Sequence, residues 1–220
     1  PYVLKSISEE IEKMSPSSFT KIAENTNALQ SIANRNMSQE TIDKIISQID
    51  KLRKDNLQKM FSDANWLNNL QNLSPDITKA FTDKISKEFK ESNVFDILSK
   101  VQIDQLPGTV TDTFNRITKG FISALLEKNI ENISNAIAGW DKDVWLRPEN
   151  IQTIDNVLNS YNLTDNEKKE IILSTLRKTE NRGAIIRGAL KESPGGPLRT
   201  VLTRLTDEER GEIKRFLTPQ

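Results

Sequence analysis

Residues 163–190 read LTDNEKKEIILSTLRKTENRGAIIRGAL, and this stretch decides the fold class. It opens on an apolar residue, Leu163, followed by Thr164 and, three places later, Glu167. A Thr at that place accepts from the orphan N–H groups of a helix's first turn, and the Glu reaches back to the N–H of the Thr. Ile171, Ile172 and Leu176 then fall on one side of a helix. A break at Glu180-Asn181 separates it from a second helix through Ile185, Ile186, Ala189 and Leu190. Ser193-Pro194-Gly195-Gly196-Pro197 stops that one. The stretch reads as an antiparallel helix pair, and the rest of the chain reads as looser versions of it.

Six helix starts share one form, an apolar residue before a hydroxyl cap: Met14-Ser15, Met37-Ser38, Phe61-Ser62, Leu73-Ser74, Leu163-Thr164 and Leu205-Thr206. The apolar residue can staple onto the fourth helical position, filled by Phe19, Ile42 and Trp66 in the first three. Leu4, Ile7 and Ile11 mark a first helix; Phe19, Ile22, Thr26, Leu29 and Ala33 predict one continuous face after Ser15-Pro16. Ile42 to Leu52 and Ile77 to Phe89 follow the same spacing, and Val94 to Val101 adds a short helix. Thr109 to Lys128 predicts one long helix (Val110, Phe114, Ile117, Phe121, Leu125). Ile130 to Ala138, a helix from Pro148, Leu198 to Leu205 and a last one from Thr206 complete the chain. No segment alternates as a strand does.

The expected fold class is therefore all-α: an irregular helix-loop-helix array, α-solenoid-like and crescent-shaped, with a compact helical bundle as the alternative. Residues 1–220 read as a single repeat-like domain with an internal break near 104–109, at Leu106-Pro107-Gly108, and a basic C-terminal part over 177–220. A chain that opens on Pro rather than Met reads as a segment of a longer protein.

Composition narrows the chemistry. Apolar residues make up 35% and aromatic residues 6%, a balance that suits many narrow stripes better than one thick core. Lys+Arg and Asp+Glu both number 31, so no bulk attraction to nucleic acid or membrane is implied. The chain has no cysteine and no histidine, which removes disulfides, thiolate nucleophiles, the usual general base and the commonest metal ligand. No apolar run approaches the length of a membrane span. Sequons occur at Asn36, Asn72, Asn132 and Asn162, a number that an Asn-rich chain produces by chance.

Few constellations suggest a reaction. Glu9-Glu10 and Asp207-Glu208-Glu209 are paired acids expected in the first turns of helices, where the dipole favours them. Asp141-Lys142-Asp143 is expected as a helix start; it has the spacing of a divalent-metal site without its strand context. Trp140 and Trp145 are expected as core residues, with an aromatic binding patch as the other reading. No cofactor is expected.

Arginine is sparse at first, at Arg35, Arg53, Arg116 and Arg147. It then recurs at Arg177, Arg182, Arg187, Arg199, Arg204, Arg210 and Arg215. Two readings stay open: contacts to a partner's carboxylates, or helix capping and pairing with Glu180, Glu192, Glu208, Glu209 and Glu212. Within this run Leu176-Arg177-Lys178-Thr179 resembles the Leu-Lys-Lys-Thr element of short actin-binding peptides of the β-thymosin type. The resemblance implies an apolar helix face docked in a groove, with basic residues against acidic actin surface. Leu176, Arg177, Lys178, Thr179, Arg182 and Arg187 are accordingly the candidate partner-binding residues.

Asn72-Leu73-Ser74-Pro75-Asp76 and Asn162-Leu163-Thr164-Asp165-Asn166-Glu167-Lys168, in a Lys/Ile/Asn-rich chain without cysteine, resemble the helix-loop-helix regions of rickettsial surface cell antigens. The Met14-Ser15-Pro16 and Leu73-Ser74-Pro75 starts also resemble the superhelical repeats of mesothelin and stereocilin. The first resemblance implies an exported bacterial surface or virulence protein acting on a host protein, with actin a candidate partner. The second implies an animal extracellular adhesion repeat. Both imply a non-enzymatic binding module; a secreted α-helical effector enzyme is the contrasting expectation.

Overall fold

The computed structural model describes residues 2–33 and 37–217, with side chains over 7–33 and 37–217. Arg35, Asn36 and the side chain of Leu4, named above, lie outside the described residues. Among the described residues the protein is all-α, with no strand. In chain order the helices are α1 (Tyr2–Lys13), α2 (Pro16–Glu24), α3 (Thr26–Ile32), α4 (Gln39–Asp50), α5 (Lys54–Phe61), α6 (Ala64–Leu70), α7 (Pro75–Glu88), α8 (Glu91–Leu98) and α9 (Gly108–Ile117). They continue with α10 (Phe121–Leu126), α11 (Ile130–Ala138), α12 (Lys142–Trp145), α13 (Pro148–Ser160), α14 (Asp165–Lys178), α15 (Arg182–Lys191), α16 (Pro197–Thr203) and α17 (Asp207–Leu217). Two compact units result. One runs to Phe89 and takes in Lys100–Phe114; the other comprises Lys90–Ser99 and the chain from Asn115 onward.

The first unit is built on a three-helix period. Tyr2, Gln39 and Pro75 open α1, α4 and α7, spaced 37 and 36 residues apart, and α1 packs on α4, which packs on α7. Short helices fill the intervals: α2 and α3 after α1, α5 and α6 after α4. The ends of these helices receive side-chain donors from the period that follows. A helix leaves its last carbonyls without intrahelical donors. Gln48, the tenth residue of α4, donates from Nε2 to the carbonyls of Ile11 (2.7 Å) and Met14 (3.0 Å) at the end of α1. Lys84, the tenth residue of α7, donates from Nζ to the carbonyl of Asp50 (2.5 Å) at the end of α4. Trp66 Nε1 donates to the carbonyl of Ala23 (2.7 Å) near the end of α2. Around Trp66 an aromatic core forms from Phe61, Phe81, Phe89 and Phe114.

Three expected elements differ. The single helix expected from Pro16 to Ala33 is two, because Asn25 serves both: its N–H closes α2 on the carbonyl of Ile22, and its Oδ1 accepts from Ala28 N (3.1 Å) to open α3. Asn competes with the helical backbone for hydrogen bonds, which suits it to such a junction. Asp63, not Ser62, caps α6, accepting from Asn65 N (2.9 Å) and Trp66 N (3.3 Å), while Phe61 ends α5. The long helix expected over 109–128 divides into α9 and α10 at Lys119 (φ 58°) and Gly120 (φ 89°), two left-handed residues. The apolar spacing runs unbroken across this point because Val110 and Phe114 belong to the first core, and Phe121 and Leu125 to the second.

In the second unit Phe95, Phe121, Trp140 and Trp145 form the aromatic centre, with Trp140 stacked on Trp145 at 6.2 Å between ring centroids. Trp140 Nε1 donates to the carbonyl of Thr118 (3.0 Å). Both tryptophans are therefore core, as expected. The helix pair at 163–190 also forms, but α14 packs chiefly on α11, and α15 is held by α12, α13 and α16. The pairing expected between α14 and α15 is a minor contact: Leu173 and Leu176 of α14 are drawn into the unit's core rather than onto α15 alone.

Candidate interaction surface

The surface begins with the capping of α14. Thr164 Oγ1 accepts from Glu167 N (3.1 Å) and Glu167 Oε1 accepts from Thr164 N (3.0 Å), the reciprocal pair read from the sequence. These hydrogen bonds hold the Glu167 carboxyl below its ordinary range. At the other end Thr179 caps α14, and its Oγ1 accepts from Asn181 N (3.0 Å). Arg182, the first residue of α15, folds back onto that end. Its Nε donates to the carbonyl of Leu176 (2.6 Å) and its Nη2 to that of Arg177 (3.1 Å).

The same guanidinium lies over the Phe216 ring of α17, 4.9 Å from its centroid. Arg177 meets the same helix, donating from Nε (2.5 Å) and Nη2 (2.9 Å) to the two carboxylate oxygens of Glu212. This fork holds the Glu212 carboxyl below its ordinary range and raises the Arg177 pKa further. Lys169 donates to Glu209 (3.2 Å), which also accepts from Thr206 N (2.9 Å). Glu209 is held low by that backbone bond first and by Lys169 second. Glu209, Glu212, Ile213 and Phe216 occupy one face of α17, at steps of three, four and seven from the first. Ile213 is the helix's buried residue, contributing about 1.5–3 kcal/mol on full burial. The helix's other attachments include the Arg177 fork, the pair of Lys169 with Glu209, a hydrogen bond from Arg210 to the Thr203 carbonyl (3.5 Å) and the cation–π contact. The last helix is a lightly held strap.

Of the six candidate residues, Arg177 and Arg182 are thus brought together beneath α17. Lys178 points elsewhere, donating to Glu131 of α11 (2.5 Å). Leu176 (0% exposed) and Thr179 (3%), expected in contact with a partner, are interior residues. Arg187 is exposed on α15, its guanidinium folded against Gly183, and Leu190, one turn further on, is 65% exposed. Of the acids expected to pair with the arginines Glu212 takes Arg177, whereas the Arg199 guanidinium donates to the backbone carbonyl of Glu192 (2.9 Å). Arg204 instead takes Asp165. Nothing local in sequence joins Arg177 to Glu212, 35 positions away, or Lys178 to Glu131, 47 away.

Nearby, a cleft of about 430 Å³ is lined by Asp155, Asp165, Lys168, Lys169, Thr200 and Arg204. Its charges are already matched: Lys168 pairs with Asp155 at 3.0 Å and Arg204 with Asp165. The Arg204 contact holds the Asp165 carboxyl below its ordinary range, so Asp165 carries no proton to deliver near neutrality. Asp141 is spent as the N-cap of α12, accepting from Asp143 N (3.1 Å), and no group of three His, Cys, Asp or Glu is placed for a metal among the described residues. Glu9 and Glu10 lie beyond the first turn of α1, contrary to expectation, whereas Asp207, Glu208 and Glu209 do occupy the first turn of α17. No described helix is long and apolar enough to cross a membrane.

No protein-family model, curated protein or solved structure matches this chain.

Proposed function

We propose that this chain is a non-enzymatic protein-interaction module that binds an acidic surface of another protein through the basic turn between α14 and α15. The observation that carries this reading is Arg187 and Leu190, exposed one turn apart on α15; the half-exposed Arg177 and Lys178 at the end of α14 already take carboxylates, those of Glu212 and Glu131. A cluster of Arg side chains suits bidentate contacts to carboxylates, and an adjoining exposed apolar residue supplies the area that charge alone does not. Because Leu176 and Thr179 are interior, the contact is made by a folded helix surface, not by an extended peptide.

The resemblance to rickettsial surface cell antigens extends the proposal to an exported bacterial surface or virulence protein, with host actin as the candidate partner. Actin co-sedimentation and polymerisation kinetics test it. Binding is expected for the native chain, with at least a tenfold loss for Arg187→Glu combined with Lys178→Glu. Co-sedimentation absent in the native chain, or unchanged by both reversals, removes actin as the partner.

A further inference from the structure

We infer that the face of α14 and α15 beneath α17 is a docking site for an acidic amphipathic helix, and that α17 is its resident, displaceable occupant. The inference rests on the reading of this region as an interaction surface and adds the kind of partner that fits it. The occupant's chemistry is on display in α17 itself. Glu209 meets Lys169, Glu212 meets the fork of Arg177, Ile213 is buried, and Phe216 lies under the guanidinium of Arg182. A helix carrying acid, acid, apolar and aromatic residues at positions 1, 4, 5 and 8 reproduces every one of these contacts.

The placement of Arg182 and of the two helices does not depend on α17. Arg182 is oriented by the carbonyls of Leu176 and Arg177, both on α14, and α14 is anchored by α11 and α16. By contrast α17 buries one apolar side chain and has its only substantial backbone proximity to α15. Helices attached so sparsely open locally without unfolding the rest of a domain. A partner helix of the same pattern then competes with α17, and its apparent affinity is reduced by the fraction of time that α17 occupies the site.

The test uses the full chain and a fluorescent peptide spanning residues 205–217. Glu212→Arg with Phe216→Ala releases α17 while leaving α14 and α15 untouched, and amide exchange over 207–217 reports the release against unchanged protection in α11 and α14. The peptide is expected to bind the released chain at least tenfold more tightly than the native one. Adding Arg177→Glu is expected to abolish that binding, and a peptide with Lys in place of Glu212 to restore it. Three results overturn the inference: protection of α17 unchanged by the two substitutions, peptide binding no tighter to the released chain, or a concentration-dependent dimer that exchanges α17 between copies and excludes the peptide. If the peptide binds and actin does not, the surface stands and actin falls. If actin binds equally well to native and released chains while the peptide fails, the opposite holds.

Discussion

Gln48 and Lys84 stand at the same position of successive long helices, each the tenth residue, and each donates to the open carbonyl end of the long helix before it. One is a buried amide reaching Ile11 and Met14; the other is a lysine reaching Asp50. The chemistry differs and the role is shared: each side chain adds a donor at a helix end whose last carbonyls have no intrahelical partner.

Gln48→Leu keeps the volume and removes the donor. It is expected to cost about 1 kcal/mol, because the Met14 carbonyl loses its side-chain donor while Ile11 keeps the Met14 N–H and the unmet Oε1 of Gln48 is removed as well. Gln48→Lys is expected not to recover the loss, because Lys84 is paired with Glu88 (3.2 Å) while the residue four on from 48 is Leu52. Urea unfolding of the three proteins checks both, read as a shift in midpoint at constant slope.

Two glycines separate close contact from backbone strain. A Cβ on Gly188 would lie 2.1 Å from the carbonyl oxygen of Trp145, so Gly188→Ala must push α15 off α12 at a cost of about 3 kcal/mol. Gly120 has open space around it but a φ of 89°, so Gly120→Ala is expected to lose about 1–2 kcal/mol from the left-handed backbone alone. Equal losses would mean that the approach of α15 to Trp145 is not as close as described.

The three tryptophans differ in one atom's surroundings. Nε1 of Trp66 donates to Ala23 and that of Trp140 to Thr118, while that of buried Trp145 has no partner among the described residues. Trp66→Phe takes a donor from the Ala23 carbonyl and Trp140→Phe one from the Thr118 carbonyl, which keeps the Phe121 N–H (3.3 Å); each is expected to lose about 1 kcal/mol beyond the change in volume, whereas at 145 the exchange removes an unmet donor. Trp145→Phe should therefore be the mildest of the three by thermal or urea unfolding.

Acid is expected to loosen α17 before it unfolds the unit. Glu212 and Glu209 are held below the ordinary glutamate value of 4.5, the first by the fork of Arg177, the second by the Thr206 N–H and then Lys169. Folded pKa values lower than unfolded ones contribute stability that is fully present above 4.5 and is lost as pH falls through the depressed values. Amide exchange over 207–217 at pH 7 and pH 3, corrected for intrinsic rates, should show protection lost there first. Glu212→Gln should weaken the dependence.

Glu192 runs the other way. Its buried carboxylate accepts from Leu198 N (3.3 Å) and Arg199 N (3.0 Å) at the start of α16, yet burial outweighs these bonds and raises its pKa above 4.5. The charged form is then disfavoured by folding; the cost is present above the raised folded pKa and disappears as pH falls to the unfolded one. The stability of the native chain relative to Glu192→Gln should accordingly rise as the pH is lowered from 7 to 4. A difference that stays constant or falls would show that the carboxylate is not penalised by burial.

Much of the secondary structure was legible because its signals are local. Thr164 and Glu167 are three residues apart and close their own reciprocal bonds, and Ser15, Ser38 and Asp141 likewise accept from N–H groups two or three positions away. The failures were local competitions that periodicity does not register: Asn25 taking both a C-cap and an N-cap, and Lys119-Gly120 turning left-handed inside an unbroken apolar spacing. The candidate site was legible only as composition. That arginine gathers after position 176 can be counted; that Arg177 takes Glu212, that Lys178 leaves for Glu131 and that Thr179 is buried cannot.

By itself, then, the sequence determined an all-α chain, the positions of most helix starts and a basic C-terminal quarter, since caps, apolar stripes and charge counts act within a few residues. Only the tertiary structure decided which helix closes which, with Gln48 serving α1 and Lys84 serving α4, and which charges the fold consumes beneath α17. Those choices join groups 34 to 40 positions apart, and an ion pair or a borrowed cap has no sequence signature when long side chains and packed helices, not chain neighbours, bring its members together.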